Sequence, residues 1–195
     1  MKFRNLLPLF IGITLTIAHS NVFAQGKTVV KTEMTVQVGG EAMFPKKNII
    51  ENAVNSKAHT TLVAAVQAAG LVETLKGKGP FTVFAPTNDA FENLPAGTVE
   101  TLLKPENKAT LAKVLTYHVI AGKYDFNAIA ELIKKGSGKA SLKTVSGGTL
   151  TAMMNGAHNI SLKDENGGTA NISTYDVYQS NGVIHVLDAV VLPKM

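Results

Sequence analysis

As far as Lys135, apolar residues recur at helical spacing; beyond it they alternate in short runs cut by glycine pairs. Ile49, Ile50 and Val54 share one helical face, and Leu62, Val63, Val66 and Ala69 form a stripe that Thr60 or Thr61 can N-cap and Gly70 ends. Leu71 to Leu75 adds a helical turn before the breakers Gly77-Lys78-Gly79-Pro80. Phe81 to Ala85 is β-branched and aromatic and predicts a strand. Thr87 then caps a helix, with Asp89 in the first turn where the helix dipole favours negative charge. Thr98 is expected to cap a short helix reaching Leu103. Asn107 opens a longer one to about His118, its apolar face being Leu111, Val114, Leu115 and His118. Val119 to Gly122 reads as the end of that helix. Phe126 to Lys135 reads as the next, with Ile129, Leu132 and Ile133 inward.

The strand-like runs that follow are Lys143 to Val145, Thr149 to Met153, Asn159 to Leu162, Ala170 to Ser173 and Gly182 to Leu192. Gly147-Gly148, Asn155-Gly156, Asn166-Gly167-Gly168 and Asn181-Gly182 separate them, and such pairs are hairpin signals. Helices first and strands later predict an α+β fold rather than an alternating parallel sheet.

The N-terminus has a different pattern. Lys2 and Arg4 precede an apolar run from Leu6 to Ala18, and Val22-Phe23-Ala24 fits a signal-peptidase site, so residues 1–24 are expected to be a signal peptide cut before Gln25. The run is shorter than the roughly 20 apolar residues of a spanning helix, which leaves a signal anchor as the weaker alternative. The chain is therefore expected to be exported to the periplasm or the extracellular space, with no membrane span after cleavage. Residues 25–45 read as an extended arm outside the core, with room for one short strand where weak alternation at Met34, Val36 and Val38 is interrupted by Gly39-Gly40. Residues 46–195 read as a single domain.

Composition narrows the chemistry. With no cysteine, an exported chain has no disulfide, and thiol catalysis and iron–sulfur ligation are excluded. Removing Lys2 and Arg4 lowers the formal charge of +5 by two, leaving a mild excess without a basic stripe. Tryptophan is absent and aromatics make up 6%, so the clustered cations and stacking rings of a nucleic-acid binder are missing. His59, His118, His158 and His185 lie on different elements without i, i+4 pairing, so no metal is expected. Gly136-Ser137-Gly138-Lys139 lacks the full phosphate-loop spacing, and Ala140 follows the lysine. No Gly-x-Ser-x-Gly elbow is present. Neither an enzyme nor a cofactor is expected.

Three ordered segments carry a family resemblance. Phe81-Thr82-Val83-Phe84-Ala85-Pro86-Thr87-Asn88-Asp89-Ala90-Phe91 resembles the first signature block of FAS1 (fasciclin) domains. Tyr117-His118 stands where that family keeps a Tyr-His pair, and Asn181 to Asp188 followed by Val191-Leu192-Pro193 resembles the second block. The resemblance spans about Asn48 to Pro193, and resembles the small secreted single-domain bacterial members. It implies a β-sheet wedge with helices packed around it, and an adhesion or matrix-interaction module whose partner is a surface protein or polysaccharide. The alternative is a binding protein for a small apolar ligand held between helices and sheet.

The resemblance also implies candidate binding residues. Asp176-Val177 occupies the position of an Asp-Ile pair to which adhesion is attributed in some animal members, although Thr174 and Tyr175 replace the acidic and proline residues there. The competing reading makes Asp176 a turn cap and Val177 a core plug. Tyr117 and His118 are the second candidate pair; helical spacing puts His118 on the apolar face, which favours a buried structural role. His185 alternates with Ile184 and Val186, so it faces outward or covers a second layer.

Overall fold

The computed structural model describes residues 34–194. The expected signal peptide and residues 25–33 of the arm lie outside the described residues. Val36–Val38 (β1) and Glu41–Met43 (β2) form a hairpin, followed by the helices Ile49–Ala53 (α1), Thr60–Ala69 (α2) and Val72–Lys76 (α3). Phe81–Pro86 (β3), Asn88–Glu92 (α4), Thr98–Leu102 (α5), Lys108–Tyr117 (α6), Val119–Ala121 (β4) and Phe126–Lys135 (α7) come next. The chain ends in Lys139–Lys143 (β5), Thr149–Met154 (β6), Ile160–Lys163 (β7), Thr169–Gln179 (β8) and Gly182–Leu187 (β9).

Seven strands make one mixed sheet in the order β4-β3-β9-β8-β7-β6-β5, with β3 and β9 parallel and the other pairs antiparallel. Just past β5, Val145 N–H donates to the Val119 carbonyl at 2.8 Å and Ser146 N–H to that of Thr116 at 3.3 Å. These bonds draw the β5 edge toward β4, so the sheet bends nearly into a barrel, an α+β fold.

Strand alternation sorts the core into two clusters. Val83 and Ala85 of β3 and Ile184 and Val186 of β9 face the helices, packing with Leu62, Val66, Leu111 and Leu115. Phe84 and Leu187 face the other way, into the curve of the sheet, where Ile129 and Ile133 of α7 plug a layer of Leu142, Leu150, Ile160 and Leu162. Central strands buried on both faces lose the apolar–polar alternation, as the fully buried β9 shows.

Several elements depart from the sequence reading, each because pairing decides what propensity leaves open. Gly39-Gly40 does not interrupt an arm: with φ of +62° and +79° it is the tight turn of a hairpin. That hairpin buries Val38 and Met43 in the helix-side cluster, so this part of the arm lies inside the core. Val119 to Ala121 is a strand, because Val83, Thr82 and Phe81 pair with it. The first strand after α7 begins at Lys139, paired through Lys143 with β6, four residues ahead of the run expected there. Gly97, at φ +80°, stands at the cap position of α5 instead of Thr98. The start of α2 is capped from outside its own sequence, the Asn88 side chain accepting from Thr61 N–H at 3.1 Å. Val54, expected on the apolar face of α1, stands just past its end and is 52% exposed.

Strand β8 runs from Thr169 to Gln179, far beyond the expected Ala170 to Ser173, and two bulges explain why. Between the pairs Ile172↔Leu187 and Val177↔Ile184, β8 spends two more residues than β9. Its polar stretch Ser173-Thr174-Tyr175-Asp176 is thrown out of regular alternation, while Ile172 and Val177 each still reach a core cluster.

Candidate functional site

The second bulge of β8 sets Asp176 against the N-terminus of α7. Asp176 has φ +55°, a left-handed backbone that aspartate tolerates better than most side chains. Its Oδ1 accepts the Phe126 N–H at 2.7 Å, while Asp125 caps the same helix by accepting from Ala128 N–H at 2.9 Å. Two carboxylates thus meet the positive end of a ten-residue helix. The Asp176 N–H donates to His185 Nδ1 at 3.3 Å, and His185 Nε2 donates to the Tyr124 carbonyl at 2.8 Å. His185 lies fully inside, stacked on Phe84 with ring centroids 5.6 Å apart, and burial pushes its pKa below the ordinary histidine value. It therefore covers the second layer. Val177 plugs the helix-side core.

Two residues along the strand, Tyr178 is 37% exposed. The Lys123 ammonium sits 4.6 Å from its ring centroid, and its hydroxyl reaches toward Asp125 Oδ2 at 3.4 Å. Burial, then the neighbouring Asp176 and Asp125 charges, raise the Tyr178 pKa, so the phenol stays neutral. Lys123, Tyr178, Asp125 and Asp176 form a polar–aromatic corner on backbone held by β8, α7 and the β4–α7 loop. Of these the sequence reading singled out only Asp176; the i, i+2 spacing of Tyr178 from it was the available signal.

Tyr117 and His118 lie elsewhere, inside the molecule. The Tyr117 hydroxyl donates to the Thr149 carbonyl at 2.8 Å and accepts from Glu165 N–H at 3.2 Å, and burial lifts its pKa to about 12. His118 Nδ1 donates to the Val114 carbonyl at 2.8 Å, and Nε2 accepts from Val191 N–H at 3.3 Å. Both ring nitrogens are spent on backbone, and burial pushes the group down to about 4. Both side chains are buried, joining α6 to the sheet and the C-terminal segment. Neither shares the Asp176 corner.

A second feature is a cavity of about 100 Å³ between the first helices and the helix-facing side of the sheet, lined almost wholly by apolar side chains such as Met43, Ile49, Leu62, Val66, Val83 and Ile184. His59 lines it as well. Among the described residues, no three His, Cys, Asp or Glu side chains gather as a metal would need, and no helix is long and apolar enough to cross a membrane.

A nearly closed mixed sheet, an external belt of helices and a bulged strand presenting a polar corner define an α+β module of the FAS1 type. The fasciclin domain model matches residues 57–193, and the chain belongs to the fasciclin domain family. Protein sll1483 of Synechocystis sp. is 45% identical over 166 residues, which cover 84% of this chain and 83% of that one. Cell surface glycolipoprotein MPB83 of Mycobacterium bovis is 34% identical over 161 residues, 80% of this chain and 64% of that one. The solved FAS1 domain pair from the insect cell adhesion molecule Fasciclin I superposes with a TM-score of 0.66 at 17% identity, covering 76% of this chain and 52% of that one. That likeness is one of fold.

Proposed function

We propose that this protein is an exported, non-catalytic adhesion or matrix-interaction module that binds a surface protein or polysaccharide through the corner formed by Lys123, Asp125, Asp176 and Tyr178. The observation that carries the reading is the exposed Tyr178 ring, with the Lys123 ammonium 4.6 Å from its centroid and its hydroxyl near the Asp125 carboxylate, beside the Asp176 that binds the start of α7. A half-exposed aromatic of this kind gives contact area at little entropic cost, and the mixed charges around it suit a polar partner. Asp176 contributes its half-exposed carboxylate, while Val177, Tyr117 and His118 keep the frame in place. The N-terminal signal pattern and the cell-surface relative support export, to the periplasm or beyond it. The test is cell attachment to a surface coated with the purified protein, against the same protein heat-denatured. Attachment that needs the native fold is expected; attachment equal to the denatured control contradicts the reading.

A second reading, binding of a small apolar ligand, rests on the cavity beneath α1 and α2. Organic extraction of protein purified from its native host, followed by mass spectrometry, is expected under it to release a stoichiometric apolar compound.

A further inference from the structure

The sheet bends nearly into a barrel but does not close. Val145 and Ser146 tie the end of β5 to Val119 and Thr116, yet among the described residues β4 and β5 are the two edges of the sheet, with no ladder between them. Between these edges lies a slot of about 430 Å³. Its floor is the half-buried Tyr124 and Leu132 with the buried Ile120 and Leu142. Its rims are Ala121 on one side and Ser141 and Lys143 on the other, all exposed.

Both rims are backbone with bonding capacity to spare. Phe84 N–H donates to the His118 carbonyl and Gly122 N–H to the Pro80 carbonyl, both at 2.9 Å. These bonds flank the Thr82↔Ile120 pair, so alternation turns the N–H and C=O of Ala121 away from β3 and toward the slot. On β5, Thr144 N–H donates to the Gly148 carbonyl at 3.0 Å, in phase with the pairs Leu142↔Leu150 and Ala140↔Ala152. The main-chain groups of Ser141 and Lys143 therefore face away from β6, again toward the slot. Ala121, Ser141 and Lys143 each offer one donor and one acceptor, which is what an added strand binds.

Charge and alternation define the strand that fits. Lys139 and Lys143 stand on the exposed face of β5, and among the described residues neither has an ion-pair partner. The lining contains Lys143 and no carboxylate. Lysines on an edge repel the same edge of a second copy, so the occupant carries the opposite charge. Residues directly opposite in a ladder share a face. A side chain opposite Lys143 points outward and is acidic, and one opposite Leu142 points to the floor and is apolar.

We propose that the slot between β4 and β5 binds an extended segment of a partner protein as an added strand, one in which acidic side chains alternate with apolar ones. Its main chain bonds to Ala121 on one rim and to Ser141 and Lys143 on the other. The acidic side chains lie beside Lys139 and Lys143, and the apolar ones rest on Tyr124 and Leu132. A segment of about five residues matches β5 in length. The surface is additional to the Tyr178 corner and uses none of its four side chains.

The test titrates the acetylated, amidated peptide Glu-Val-Glu-Val-Glu-Val into the purified protein, following the backbone amides by ¹H–¹⁵N correlation. Two comparison peptides are Lys-Val-Lys-Val-Lys-Val and the acidic peptide N-methylated at its valines. The acidic peptide is expected to bind saturably, shift the amides of Ala121, Ser141 and Lys143, and slow their hydrogen exchange. Each comparison peptide is expected to bind about tenfold more weakly, one for its charge and one for its lost donors. The Ser141 N–H takes no part in the β5–β6 ladder, so Ser141→Pro is expected to keep the native spectrum and bind the acidic peptide about tenfold more weakly. Equal binding of the acidic peptide and either comparison peptide, shifts confined to other amides, or undiminished binding to folded Ser141→Pro overturns the proposal. So does the absence of saturable binding. Should Ser141→Pro not fold, the N-methylated peptide decides the same point on the unaltered protein.

Discussion

Asp176 and Val177 are neighbours in sequence with opposite tasks. Val177 points into the helix-side core, and truncating it to alanine should cost about 2 kcal/mol. Asp176 satisfies an otherwise unpaired amide at the start of α7, so Asp176→Ala should lower stability by about 1 kcal/mol. Urea denaturation measures both; an unchanged midpoint for Asp176→Ala would remove its structural role and leave only a surface one. The two readings of this pair, a contact site and a cap beside a plug, were both open in the sequence because no pattern shows where α7 begins relative to β8. The burial of His118 was legible from its spacing with Leu111, Val114 and Leu115. The pairing of Tyr178 with Lys123 was not, since it depends on a loop more than 50 positions away in the chain.

At the level of elements, the turn between β8 and β9 locks sheet to helices. Asn181 donates to the carbonyls of Leu75 and Gly77, both at 2.8 Å, and accepts from Ile49 N–H at 3.0 Å, tying α3 and α1 to one side chain. Asn181→Ala leaves those buried groups unpaired and should cost about 3 kcal/mol, read from the thermal midpoint. Gly182 passes so close to β3 that a Cβ there would stand 2.2 Å from the Phe81 carbonyl oxygen. Gly182→Ala is therefore expected to break the parallel β3–β9 pairing and yield little folded protein on expression; a soluble variant with native circular dichroism would contradict this. Strands β3, β6, β7 and β9 and helices α2, α6 and α7 were legible because their apolar spacing is strong. The β1–β2 hairpin, β4, the start of β5 and the bulged middle of β8 were not. Their residues are too few or too polar to announce a strand, and pairing with distant partners makes them one.

On the scale of the molecule, three buried neutral histidines couple the fold to pH. His59, His118 and His185 all have pKa values lowered by burial, His118 to about 4 from 6.5. The unfolded chain takes up protons near pH 6.5 that the folded chain refuses, so their stabilisation is complete above about pH 6.5 and fades as pH falls toward 4. His118 alone should account for about 3 kcal/mol of that loss. Chemical denaturation between pH 7.5 and 4.5 should show the decline, and His118→Gln should flatten it. The binding claim concerns the polar–aromatic corner at α7 and β8, so the most direct measurement compares cell attachment to wild-type protein and to a Lys123→Ala/Tyr178→Ala double variant. Both side chains are at the surface, and the melting temperatures should agree within about 3 °C. A severalfold drop in attachment at matched melting temperature is the predicted result; undiminished attachment to the folded variant would contradict the account.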